Sequence, residues 1–136
     1  GHLGLSSLHV SSAAGVVDRL VEVFPPEEQS QVRSHLAETL RGVITQKLLP
    51  AADGNGRVAA LEIMLMNRAV QTSIRESTSH LIPGIISTSR RMGMQTMEQA
   101  LKEQLLNGKV DPDIIDEHLQ ELKGESPKEY SQGLLA

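Results

Sequence analysis

His9 is the one histidine of the five that stands where chemistry tends to gather. The apolar run Leu3, Leu5 and Leu8 leads into it, and Ser11-Ser12 and Ala13 come directly after. Small residues between the leucines make Leu3 to Leu8 read as a short strand, and Ser11 or Ser12 is suited to cap a helix beginning at Ala13. The order is therefore strand, polar turn, helix. In an open α/β sheet this junction lies at the carboxyl edge of the strand, where such folds place ligands, so an imidazole there faces a crevice rather than the core. The same spacing suits a strand-end histidine that finds a backbone partner, and the residues alone leave both readings open. His35 reads as a solvated helix residue, because no histidine or carboxylate stands at metal-ligand spacing from it. The glycines of Asp53-Gly54-Asn55-Gly56 are too few for a phosphate-binding loop, and no Lys-Ser or Lys-Thr pair comes after them at a helix start.

The elements that position these residues can be read from periodicity. Ala13, Val16, Val17, Leu20 and Val21 recur at helical spacing, with Phe24 closing the stripe. Pro25-Pro26 stops that helix and begins another, whose apolar face is Val32, Leu36, Leu40 and Val43. Val43 to Leu49 and Arg57 to Met66 read as two strands of a hairpin, and in the second Leu61, Ile63 and Leu65 alternate with Glu62 and Met64, so one face is buried more deeply. Asn67 caps a helix in which Val70 and Ile74 point inward and Arg75-Glu76 form the end. Leu81, Ile82, Ile85 and Ile86 make the next stripe, which Gly93 ends. Thr96 and Gln99 have the spacing of a capping box, Asn107-Gly108 is a left-handed stop, and a last helix starts at Asp111-Pro112 with Ile114, Ile115, His118, Leu119 and Leu122 as its stripe. Gly124 ends it, and residues 124–136 read as a flexible tail.

Composition narrows the functional classes. A chain of 136 residues supports one core. With one Phe, one Tyr and no Trp, that core is aliphatic and nothing in it stacks nucleobases. A formal charge of -4 without a basic run argues against nucleic acid as a partner. The absence of cysteine excludes disulfides and thiolate metal sites, no metal site is expected, and no apolar run approaches the ~20 residues that span a bilayer. A cytosolic protein without membrane insertion is expected, and a chain that opens inside a strand leads us to expect sequence upstream.

Five stretches, in order, resemble the hexameric ATPases that drive type IV pili and type II secretion, and specifically the retraction (twitching-motility, PilT-like) motors. Gly1-His2 through Leu8-His9 resembles their histidine box, and Val17-Asp18-Arg19-Leu20 with Val23-Phe24-Pro25 resembles the segment directly after that box. Gly56 to Met64 is similar to the strand after the family's hairpin, Ala69-Val70-Gln71-Thr72-Ser73-Ile74-Arg75-Glu76 to its retraction motif, and Gly93-Met94-Gln95-Thr96-Met97 to a further signature. Gln71 and Ser73 depart from the motif, where the family has Arg and Leu.

The resemblance implies an α/β fold, the C-terminal part of a RecA-like P-loop NTPase: few strands including a hairpin, then a helical bundle. Residues 1–66 would complete the ATPase core, 67–123 form the helical region and 124–136 the tail. It implies that His9, and with it His2, contacts nucleotide, His9 sensing the terminal phosphate. It implies that Ala69, Val70, Ile74, Arg75 and Glu76 transmit force between subunits or to the pilus platform protein, with the motor at the inner face of the inner membrane. The family's Walker A loop, acidic box and Walker B carboxylate are absent here. ATP and Mg are thus expected in an intact hexamer, and this piece alone is expected neither to bind ATP tightly nor to hydrolyse it. Two other readings are a type II secretion or pilus-assembly ATPase, many of which carry a four-cysteine zinc element that this chain lacks, and a non-enzymatic helical module that docks through Leu81 to Ile86.

Overall fold

The computed structural model describes residues 2–124. They form an α/β arrangement in which one antiparallel hairpin carries six helices. In chain order these are α1 (Ala13–Glu22), α2 (Pro26–Thr39), β1 (Gly42–Pro50), β2 (Arg57–Leu65), α3 (Arg68–Arg75), α4 (Ile82–Thr88), α5 (Met97–Leu106) and α6 (Pro112–Leu122), with 3₁₀ turns at Ser79–Leu81 and Arg90–Met92. The expected tail beyond Gly124 lies outside the described residues.

Local chemistry sets most of the boundaries. Ser12 is extended and its hydroxyl accepts from the Gly15 amide, starting α1. Pro26 stands at the first position of α2, where its missing N–H costs nothing. Asn67 accepts from Val70 to start α3, and Thr96 and Gln99 complete a reciprocal capping box on α5. Gly108 ends α5 with φ of +62°, a conformation that favours glycine.

The hairpin pairs Val43 with Met64, Thr45 with Glu62, Lys47 with Ala60 and Leu49 with Val58 on its inner face. Val43 and Met64 belong to one buried cluster, built with Ala13, Val16 and Val17 of α1, Ala37 of α2, Val70 and Ile74 of α3, Ile82 and Ile86 of α4, and Met94. Leu49 and Ala60 belong to a second, built with Met97, Ala100, Leu101, Val110 and Ile115. Between the two clusters the inner face is polar: Thr45 and Glu62, both buried, fill that rung. Met94-Gln95 closes the far edge of β2, the Gln95 and Ile63 backbones exchanging bonds of 2.8 and 3.1 Å.

Several expectations are corrected. Leu3 to Leu8 is not a strand: residues 2–10 carry no regular structure, and Leu3 and Leu5 are 81% and 94% exposed. A strand is held by the N–H and C=O groups of a neighbour, and among the described residues none lies beside this segment. One face of β2 is indeed the deeper, and it is that of Ala60, Glu62 and Met64. Phe24 does not close the stripe of α1 but lies past the helix end, 41% exposed, and of α2 only Ala37 is fully buried. The helix from Ile82 ends at Thr88 rather than at Gly93, which instead closes the 3₁₀ turn of Arg90–Met92.

Candidate functional site

His9 is exposed, three residues ahead of the Ser12 cap, and neither it nor His2 has a hydrogen-bond partner among the described residues. The turn after His9 is held tightly. Val10 packs on the first cluster, and the space beside Gly15 is so narrow that a Cβ there would meet Val10 Cγ1 at 2.8 Å and Ser12 Oγ at 2.9 Å. Glycine at 15 is therefore what lets this turn lie flat on α1.

The strongest polar contact of this region was not expected from the sequence. Glu62, 8% exposed, reaches from β2 with Oε1 to the Ala13 amide at 2.6 Å and with Oε2 to the Met97 amide at 3.3 Å. One carboxylate thus accepts the first amide of α1 and the first amide of α5. The carboxylate therefore lies at the positive ends of two helix dipoles, where its oxygens accept from amides that no residue of either helix can satisfy. The available signal was a single charge inside the otherwise apolar run Val58 to Leu65, a place where an unpartnered carboxylate is not stable.

The stretch Ala69 to Glu76 divides by face. Val70 and Ile74 are fully buried, while Ala69, Arg75 and Glu76 are exposed. Arg75 Nη2 lies 3.7 Å from Glu38 Oε1 of α2, and Glu76 caps the helix C-terminus. Ser73, which stands where the family motif has Leu, is buried and satisfied: its hydroxyl donates to the Thr78 carbonyl at 2.6 Å, and the Thr78 amide returns a bond to the Ser73 carbonyl at 2.9 Å. Within this turn Ser77 takes φ of +60°.

A third polar group ties α6 to the hairpin. Lys47 Nζ donates to Glu121 Oε2 at 2.9 Å, and His118 Nδ1 lies 3.0 Å from the same oxygen. The Lys47 bond first, then the His118 bond, holds the Glu121 carboxyl below its ordinary range. His118, placed in the apolar stripe by spacing, thus faces charge. Among the described residues no group of three His, Cys, Asp or Glu could hold a metal ion, and no helix is long and apolar enough to cross a membrane. A groove along α2, lined by Phe24, Glu28, Val32, His35 and Glu38 among others, includes neither His9 nor Glu62.

The geometry therefore separates an exposed histidine ahead of a clamped helix start from an exposed Arg75-Glu76 pair at another helix end. No family model matches the chain. It is 44% identical over 120 residues to a twitching motility protein of Neisseria gonorrhoeae, a match that spans 88% of this chain and 32% of that protein. It is 44% identical over 110 residues to the type IV pilus retraction ATPase PilT of Pseudomonas aeruginosa, across 81% of this chain and 32% of the relative. Among solved structures, the pilus retraction motor PilT with bound ADP matches the fold with a TM-score of 0.70 at 35% identity, over 81% of this chain and 30% of that one. The ATPase DotB of Legionella pneumophila matches with a TM-score of 0.68 at 26% identity, over 83% of this chain and 30% of that one. The chain spans about a third of the length of the relatives it matches.

Proposed function

Starting from a chain that is a homologue of one part of the type IV pilus retraction ATPases, we propose that it serves as part of an ATP-driven retraction motor. The observation that carries this reading is the 44% identity to a twitching motility protein over 88% of the chain, together with the fold shared with an ADP-bound retraction motor. In that motor residues 1–66 complete the ATPase core and 67–123 form its helical region. His9, exposed at the end of a segment without regular structure, offers a ring nitrogen to the terminal phosphate of ATP, with His2 beside the nucleotide. A protonated or N–H imidazole can donate to a phosphate oxygen and lose that partner when the phosphate leaves. The chain supplies no glycine-rich row of amides and no lysine after it for the remaining phosphates. Mg and those phosphates would therefore be held by the part of the motor that its relatives have and this chain does not span.

Leu3, Leu5 and the outer face of the hairpin support the same reading. Exposed leucines in a segment without regular structure are stabilised when further strands cover them. We assign that cover to the remainder of the ATPase core. Arg75-Glu76 then serves transmission, between subunits of a hexamer or to a platform protein at the inner membrane, with the motor on its cytoplasmic side. A secretion motor is the second reading, favoured by the likeness to DotB at lower identity; the retraction reading rests on the higher one.

The test is turnover and twitching in the intact motor that carries this chain. Loss of one hydrogen bond to developing phosphate charge costs a few kcal/mol of barrier, so His9→Ala lowers ATP turnover on the order of a hundredfold. Arg75→Ala keeps turnover and impairs retraction. Normal turnover in His9→Ala would return that histidine to a structural role, and equal loss in both variants would remove the division between chemistry and transmission.

A further inference from the structure

We propose that Glu62 is a positioning residue that locks the turn after His9 and the start of α5 to one point of the hairpin, so that neither shifts without the other. The carboxylate sits on the polar rung between the two buried clusters. Its partners are Ala13, 49 residues before it, and Met97, 35 residues after it. Neither bond repeats what the local caps do. The Ser12 and Thr96 hydroxyls accept from the third-position amides, Gly15 and Gln99, whereas Glu62 takes the first amide of each helix. Thr45, its partner across the ladder, is buried and gives its hydroxyl to no acceptor among the described residues. The carboxylate is thus left to the two helix starts.

Such a joint is stiff. The Ala13 bond is short at 2.6 Å and the Met97 bond longer at 3.3 Å, and releasing either amide leaves the buried charge half satisfied. A displacement at Ser12 or Ala13 therefore changes the energy of the Met97 bond. Between His9 and Ala13 there is little slack, because Val10 is seated on the core and Gly15 is already in close contact with it. The functional meaning rests on the role given to His9 above: loss of the phosphate moves the turn, and Glu62 passes that movement to α5.

Residue-resolved amide hydrogen exchange on the 136-residue chain, without nucleotide, tests the joint. Thr96→Ala loosens the first turn of α5. In the otherwise unaltered chain it raises exchange at Met97 and also at Ala13, by about tenfold, the scale of losing one bond to a charged acceptor. Glu62→Gln keeps the volume but leaves one accepting oxygen, which can hold one helix start and not both. In that background Thr96→Ala leaves Ala13 unchanged. Glu62→Asp, too short to reach both amides, gives the same result should the glutamine variant fail to fold. Ala13 unmoved by Thr96→Ala in the unaltered chain, or moved equally in both backgrounds, overturns the proposal. A carboxylate that merely stabilises the fold would lower protection throughout in Glu62→Gln and keep the response of Ala13. Because no nucleotide is present, the result is independent of whether His9 senses phosphate, which motor turnover reads separately.

Discussion

Glu121 shows how a single exposed acid fastens the last helix. Its carboxyl is held below the ordinary value of 4.5, first by Lys47 and then by His118. A depressed acid contributes stability that is fully present above its unfolded pKa and is lost as pH falls through its folded one. The docking of α6 on β1 should therefore hold from neutral pH down to the ordinary carboxylate range and weaken below it. The effect is modest, because the side chain is 42% exposed and solvent screens the pair. Protection factors of the α6 amides, corrected for the intrinsic pH dependence of exchange, should fall a few-fold in that acid window, and Glu121→Gln should flatten the profile. A profile unchanged by the substitution would place the acid sensitivity elsewhere. Lys47 and Glu121 lie far apart in sequence, so neither periodicity nor a motif announces the pair. The inward residues of α3 were easier, because Val70 and Ile74 fall on one helical face by spacing alone and both are buried.

At the scale of elements, the helix starts were legible because capping is local: Ser12, Asn67 and the Thr96–Gln99 box each act within three residues. The hairpin was legible for the same reason, two β-rich runs around a short glycine-rich tip. The expected strand at Leu3 to Leu8 failed because a strand is a property of pairs, and its own residues cannot supply the partner. The inward turn of Glu62 was hidden likewise, since its partners come from two helices distant in the chain. The turn after α3 gives a local prediction. Ser77 holds φ of +60° with a Cβ, a conformation that costs an L-residue roughly 1–2 kcal/mol, whereas the side-chain bonds of this turn are made by Ser73 and Thr78 and Ser77 contributes only its backbone amide. Ser77→Gly removes the strain at some entropic cost to the unfolded chain, for a net gain of a few tenths to about 1 kcal/mol and a rise in Tm of a few degrees. A lower Tm would mean that the serine side chain holds the turn itself.

For the molecule as a whole, the two faces of the hairpin differ in kind. The inner one joins both clusters; the outer one presents Ile44 at 66% and Leu48 at 50% exposure. An uncovered apolar sheet face favours self-association. In the isolated chain Ile44→Lys with Leu48→Lys should therefore reduce self-association in sedimentation and binding of an apolar dye, without lowering Tm, because neither side chain belongs to the core. A large loss of Tm would show instead that this face is buried by the chain itself. The sharing of the inner face has another consequence. Val43 and Met64 close one cluster, Leu49 and Ala60 the other, and all four ride on one ladder of nine paired rungs. Neither cluster can lose the ladder while the other keeps it, so the halves have no means of melting in succession. Two cores with one spine should unfold as a single cooperative unit.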